Sequence, residues 1–160
     1  MKKQMTARGV GPMFTLISVI YAAVIFVIHF AWLSHLSLPL PRFISLPIGI
    51  LLVAIGLPIF ILPGIAIDRY FNQGKLATKG IYAFFRHPIY GSWIVFIIPG
   101  VAFIIDSLLA LSIPLFMYGV FRILIGEEEK YLEQKFGNEY FEYKRRVGSI
   151  FPKFNTFWKK

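Results

Sequence analysis

IYGSWIVFIIPGVAFIIDSLLALSIPLFMYGVFRILI, residues 89–125, decides the fold. It is apolar throughout except for Asp106-Ser107 near its middle and Arg122 near its end. About 20 apolar residues span the hydrocarbon of a bilayer, so the stretch is too long for one crossing and fits two joined by a tight turn at Asp106. Upstream, Phe43–Ile67 is a further apolar run carrying Pro47, Pro58, Pro63 and Gly64 and ending at Asp68-Arg69. Proline inside a lipid-embedded helix frees backbone groups, which predicts a kinked helix with a break near Pro63-Gly64. Before it lies a proline-bearing connection, 34–41, and the uncharged run Met13–Leu33. Met1-Lys2-Lys3 resembles the start of a signal peptide. The run behind it is too long for a signal h-region and no small-x-small site follows, so a retained first helix is expected.

Residues 68–88 are polar and basic, and 127–146 are charged with helical spacing of Leu132, Phe136 and Tyr140 and a stop at Gly137-Asn138. The expectation is an all-α integral membrane protein, with about four transmembrane helices and cytoplasmic C-terminal amphipathic helices. A single membrane domain, 1–160, would hold two transmembrane helices in 1–67 and the cofactor-binding, catalytic half in 68–160.

Composition points the same way. Hydrophobic residues make up 57% and charged residues 16% of the 160, where a soluble domain carries about 25% charged. Such a chain cannot cover a water-exposed surface. Cysteine is absent, which removes disulfides, thiolate metal sites and cysteine nucleophiles; no metal site is expected. The net charge is +9, yet no nucleic-acid module accompanies it, and the bilayer is the expected partner.

The basic residues fall on one side of this four-helix arrangement. Lys2, Lys3 and Arg8 precede it, Arg69, Lys75, Lys79 and Arg86 lie in the 68–88 segment, and nine more follow from Arg122 onward. Only Arg42 falls opposite. The positive-inside rule then places both termini in the cytoplasm of a cell inner or plasma membrane.

Two segments carry unusual chemistry. Gly80 to Gly91 includes Arg86 and His87 at the mouth of the third helix, with Pro88 in its first turn, where a missing N–H matters least. Helix N-termini favour anions, and Tyr82 and Tyr90 offer aromatic faces for a cation or an adenine ring; a plain interfacial belt would look similar. The second segment is Glu127-Glu128-Glu129. Three carboxylates at an anionic membrane edge call for nearby cations, and Arg86, His87 and Arg122 are the candidates. Together the two segments would form a recess with a carboxylate for an ammonium group, donors for a carboxylate, and aromatic walls.

At these residues the sequence resembles the isoprenylcysteine carboxyl methyltransferase family and the related phospholipid methyltransferases, in a prokaryotic-type form. The resemblance rests on Gly80-Ile81-Tyr82, Arg86-His87-Pro88-Ile89-Tyr90, Glu127-Glu128-Glu129, Phe136-Gly137-Asn138-Glu139-Tyr140 with Tyr143-Lys144, and Phe151-Pro152. It implies an integral membrane enzyme that uses S-adenosyl-L-methionine without a soluble Rossmann domain, and no G-x-G-x-x-G unit is present. By that resemblance Gly74, Lys75, Leu76, Ala77, Tyr82, His87, Pro88, Ile89 and Tyr90 line the cofactor site. Glu128 holds the cofactor's amino group, although sequence does not separate it from Glu127 or Glu129.

Catalytic candidates are Arg86 and Arg122 for orienting an acceptor carboxylate, and His87 as base if the acceptor is an amine or thiol. His29 and His35 fall near the far face as interfacial bystanders. One position departs from the family pattern: where the farnesylcysteine-type enzymes carry an arginine four residues before the glutamate, this chain has Leu124. The acceptor, a lipophilic small molecule, is therefore left open, as is the oligomeric state. Other readings of the chain are a small multi-helix transporter or scaffold and a sterol-reductase-like membrane enzyme.

Overall fold

Residues 9–153 are described by the structure, a computed structural model; Lys2, Lys3, Arg8, Lys159 and Lys160 lie outside the described residues. The apolar runs become helices because backbone in hydrocarbon has to satisfy its own hydrogen bonds, which a helix does within one segment. Helix α1 spans Gly11–Trp32 and α2 spans Arg42–Asn72. Helix α3 is Pro88–Ile104, wound as a π-helix over Ser92–Ile97. Helix α4 is Ser112–Phe136, entered through a 3-10 turn at Leu109–Leu111, and α5 is Asn138–Arg146. A second 3-10 turn, Gly80–Ala83, lies between α2 and α3.

Among the described residues, three helical stretches are long and apolar enough to cross a membrane, Gly11–Trp32, Arg42–Asn72 and Leu109–Phe136. The α3 helix is shorter. Its 17 residues rise about 25 Å at ~1.5 Å each, against a hydrocarbon thickness of roughly 30 Å. Val27, Phe30, Phe43, Leu115 and Ile123 project outward and exposed, as lipid-facing side chains do.

The long apolar stretch does reverse at Asp106. That residue adopts φ +56°, a left-handed conformation that aspartate tolerates better than most. Its carboxylate accepts from Leu38 N–H at 3.2 Å, and Leu108 N–H donates to Leu36 C=O at 3.1 Å, tying the turn to the α1–α2 connection. His29 is no bystander. It is buried, with Nδ1 3.1 Å from the Ser107 hydroxyl, which also accepts from Ala110 N–H; this pair fixes the turn to α1.

Helix α2 departs from expectation. It runs unbroken through Pro47, Pro58, Pro63 and Gly64, and past Asp68-Arg69 to Asn72. A proline removes one donor, whereas a break in lipid would expose several backbone groups at once. Helix α3 widens into its π-stretch just ahead of Pro99, whose ring has no N–H to continue the regular ladder.

Helix α2 packs along α3, and α1 along α4. The first pair meets at Gly49 and Gly100, where a Cβ on Gly49 would lie 2.7 Å from the Gly100 carbonyl oxygen, so only glycine permits that approach. The second pair meets where Tyr21 stacks on Phe116 at 3.9 Å and donates to the Ser112 hydroxyl at 3.3 Å. This arrangement brings the start of α1, the segment before α3, and the last turns of α4 to one end of the bundle.

A buried ionic cluster where helices 3 and 4 meet

Arg86 and His87 precede α3, and Glu128 and Glu129 lie on α4, 42 positions away along the chain. The structure brings them together. Arg86 Nη2 donates to Glu129 Oε1 at 2.6 Å, while its Nη1 donates to the carbonyls of Val147 at 2.7 Å and Lys144 at 3.0 Å. Lys144 Nζ reaches Glu129 Oε2 at 2.8 Å and Glu133 Oε1 at 2.7 Å. These two carboxylates hold the ammonium of Lys144 above its ordinary pKa.

The His87 ring is buried between two carboxylates, with Nδ1 3.4 Å from Glu128 Oε1 and Nε2 3.4 Å from Glu129 Oε1. Burial alone lowers an imidazole's pKa, but the hydrogen bonds and charges of Glu128 and Glu129 outweigh it, and the His87 value is raised. Both nitrogens face acceptors, which suits an imidazolium with two donors. The proton-accepting role anticipated for an amine or thiol acceptor does not match this environment.

A linkage follows. With its folded value above the unfolded value of about 6.5, His87 contributes stability that is complete below that unfolded value and is lost as pH rises through the folded one. Melting of the wild-type protein in detergent is expected to fall as pH is raised above about 6.5, and more steeply than that of His87→Gln. Parallel pH profiles for the two proteins would remove the imidazolium from the ledger.

Glu128 has a different set of partners. Its Oε2 accepts from Val10 N–H at 3.1 Å and from the Tyr90 hydroxyl at 3.0 Å. Gly9 sits above it with φ +51°, and a Cβ there would press on the Glu128 carboxylate. The chain leading into α1 is thus a strap across this carboxylate. Aromatic rings close the other side: Phe121 lies 5.8 Å from His87 and 5.5 Å from Tyr90, and Phe14 meets Tyr90 edge-on at 5.0 Å.

The remaining sequence candidates distribute around this cluster. Pro88 is buried in the first turn of α3, and the Ile89 carbonyl accepts from Ser92 Oγ at 2.7 Å. Tyr82 is buried, donating to the Pro63 carbonyl at 3.4 Å and accepting at its own carbonyl from Tyr143 at 2.6 Å. Burial pushes the Tyr82 phenol above its usual pKa. Gly74 turns the chain at φ +63° and is exposed like Lys75, whereas Leu76 and Ala77 are buried, Leu76 against Tyr140, Tyr143 and Val147. Just ahead of α3, Arg86 N–H and His87 N–H donate to the carbonyls of Gly148 and Ser149 at 2.8 and 3.0 Å.

Arg122 stands apart from the cluster. It is exposed on α4, donating to the Tyr118 hydroxyl at 3.2 Å and lying 5.9 Å from that ring's centre. Glu127 is exposed too and pairs with Lys130 at 3.0 Å. Of the three candidate cations only Arg86 and His87 compensate the glutamates. Val10 and Lys144 were not anticipated as partners, although Lys144 follows Tyr143 in the tail block quoted above.

Comparison with known proteins follows the same residues. Residues 65–134 match the model of the isoprenylcysteine carboxyl methyltransferase family. The chain is 39% identical over 77 residues to human protein-S-isoprenylcysteine O-methyltransferase, covering 48% of this chain and 27% of that protein. It is 32% identical over 139 residues to a probable protein-S-isoprenylcysteine O-methyltransferase of Oryza sativa subsp. indica, covering 77% and 72%. Its fold matches the solved eukaryotic intramembrane Ras methyltransferase, an isoprenylcysteine carboxyl methyltransferase, with TM-score 0.61 and 25% identity over 88% of this chain and 52% of that one. The chain therefore spans about a quarter of the human protein and about half of the solved one. With the rice relative matched over most of both sequences, this chain belongs to the isoprenylcysteine carboxyl methyltransferase family.

Proposed function

We propose that this protein transfers a methyl group from S-adenosylmethionine to the carboxylate of a lipophilic acceptor of the prenylcysteine type, at the cytosolic face of a membrane. The observation that carries this reading is the meeting of His87 with Glu128 and Glu129 in one buried polar site at the end of the apolar helices. Val10, Arg86, Glu128 and Lys144 all lie at that end, while Asp106 and Leu38 lie at the other. The excess of basic residues there favours the cytosolic side.

The residues present fit S-adenosylmethionine. Glu128 Oε2 already accepts two hydrogen bonds, but Oε1 faces only the His87 ring at 3.4 Å among the described residues. A carboxylate has acceptor capacity for about four donors, so Oε1 is the oxygen open to an ammonium. Arg86 Nε and the Tyr140 hydroxyl are buried without a hydrogen-bond partner among the described residues; an N–H of that kind suits a carboxylate. By family resemblance Gly74–Ala77, Tyr82 and Pro88–Tyr90 complete the lining. When bound, the cofactor supplies a methyl group on a positively charged sulfonium.

What this chain contributes is placement. Phe14, Tyr90 and Phe121 keep water from one side of the glutamates, and fixing two reactants in line lowers a barrier by up to roughly 7–11 kcal/mol. A carboxylate acceptor is already anionic at neutral pH and needs no base. That agrees with an imidazole held between two carboxylates and favours a carboxylate over the amine and thiol acceptors that composition alone permits. Tyr118 and Arg122, on the lipid-facing side of α4, are the polar groups available to guide such an acceptor head from the bilayer, in place of the arginine that Leu124 replaces.

Calorimetry in detergent should detect S-adenosylmethionine binding, and radiolabelled methyl should appear on farnesyl- or geranylgeranyl-cysteine analogues in a screen that includes total membrane lipid. A thermal shift with a nicotinamide cofactor and none with S-adenosylmethionine would replace this reading with a reductase. Arg122→Ala is expected to reduce kcat/KM for the acceptor about tenfold, roughly 1.4 kcal/mol, with S-adenosylmethionine affinity unchanged. Equal losses in both quantities, or none in either, would take Arg122 off the acceptor side.

A further inference from the structure

A cavity of about 310 Å³ opens between the 3-10 turn Gly80–Ala83 and the end of α5, and none of His87, Tyr90, Glu128 or Glu129 lines it. Its walls combine Phe84, Val147 and Pro152 with the hydroxyl-bearing Thr78 and two cations, Arg146 and Lys153. Among the described residues, no carboxylate lines it. The cations come from different places, Arg146 from the last turn of α5 and Lys153 from the segment that folds back after it. Their convergence is a property of the fold and not of one charged helix face.

A helix C-terminus ordinarily repels anions through its unpaired carbonyls. Here the carbonyls of Tyr143, Lys144 and Arg145 are covered. Lys153 Nζ donates to the Lys144 and Arg145 carbonyls at 3.0 and 3.2 Å, and Arg86 Nη1 takes the Val147 carbonyl at 2.7 Å. The end of α5 is thereby turned from an anion-repelling feature into a positive rim. Phe84 in the cavity wall is 48% exposed, and Phe151, next to the wall residue Pro152, is 57% exposed. A few residues beyond Phe84 the chain enters α3, so the cavity lies at the level where a bilayer begins. Cations and exposed phenylalanines at that depth match a phosphate beneath an acyl region.

We propose that this cavity binds the anionic headgroup of a membrane phospholipid. Occupancy would brace the neighbouring cluster, because Tyr143 in the cavity wall holds the Tyr82 carbonyl at 2.6 Å and Val147 in the same wall holds Arg86. The proposal rests on the membrane reading of the helices and not on methyl transfer, so it is tested without S-adenosylmethionine.

Protein in a neutral maltoside detergent is melted with dioctanoyl phosphatidylglycerol, dioctanoyl phosphatidylcholine or inorganic phosphate. Phosphatidylglycerol should raise the melting temperature by about 3 °C, and neither of the others should. Arg146→Gln should abolish that rise, Arg146→Lys should keep most of it, and Lys130→Gln, which alters an exposed cation away from the cavity, should keep all of it. An equal rise in Arg146→Gln, or with phosphatidylcholine, overturns the site. A rise of the same size with inorganic phosphate overturns the lipid assignment. Should Arg146→Gln fail to fold, native mass spectrometry of wild type purified in an equal mixture of the two lipids decides: preferential retention of phosphatidylglycerol upholds the site, and equal retention overturns it.

Discussion

Glu129→Gln is expected to lower stability by about 3 kcal/mol, the low end of the range for removing one partner from a buried ion pair. The carboxylate, 13% exposed, is shared by Arg86 at 2.6 Å, Lys144 at 2.8 Å and His87 at 3.4 Å. Glutamine would leave these cations facing an amide. Two features keep the loss from being larger. Arg86 retains its carbonyl partners at Val147 and Lys144, and Lys144, 35% exposed, retains Glu133 and some water. In a chain of this size the change corresponds to a fall of about 9 °C in melting temperature, measured in detergent by tryptophan fluorescence. Glu127→Gln supplies the contrast, since its pair with Lys130 is exposed on both sides and should leave melting unchanged. A Glu129→Gln protein that melts with wild type would mean the cluster does not hold this end of the bundle together.

Glu128→Gln should cost the fold less than Glu129→Gln, since it weakens only the His87 contact, and should damage binding more. The glutamine oxygen can still accept from Val10 N–H and Tyr90, so the strap and α3 keep their anchor. What disappears is the negative charge proposed to hold the cofactor's ammonium. A charge-assisted hydrogen bond contributes about 1.5–3 kcal/mol, so the dissociation constant for S-adenosylmethionine should rise about 100-fold, roughly 2.7 kcal/mol. Calorimetry on detergent-solubilised protein measures this directly, and an unaltered constant would remove Glu128 from the cofactor site. Taken with Glu129→Gln, the pair of variants separates the carboxylate that holds the protein from the one that holds the ligand.

The sequence makes the bundle legible because crossing a bilayer demands long uncharged runs, and a lone Asp106 inside one of them can only mark a turn. It also announces the meeting of Arg86-His87 with the glutamate triplet, since three carboxylates in a row at a membrane edge require cations. Which glutamate meets which cation is another matter. Successive residues on a helix point about 100° apart, so Glu127 faces water beside Lys130 while its two neighbours turn inward, and only the orientation of α4 decides that. Lys144 is hidden among the cations of α5. Val10 offers no signal at all, because its contribution is a backbone N–H that any residue but proline carries. The continuity of α2 through three prolines was equally unreadable, since proline both weakens a helix and survives in one when lipid penalises the alternatives.

The strap over Glu128 has a practical consequence for anyone grafting or tagging this protein. Val10 engages Glu128 through its main chain while its side chain packs on the core, whereas the positive φ of Gly9 disfavours any other residue there and a β-carbon would displace the Glu128 carboxylate. A chimera that exchanges the first helix, or a fusion joined close ahead of it, would therefore be judged at this single joint. If the junction keeps glycine there, the carboxylate keeps its cover; if it does not, a strained residue pushes on that carboxylate while α1 stays packed on α4 through Tyr21 and Phe116.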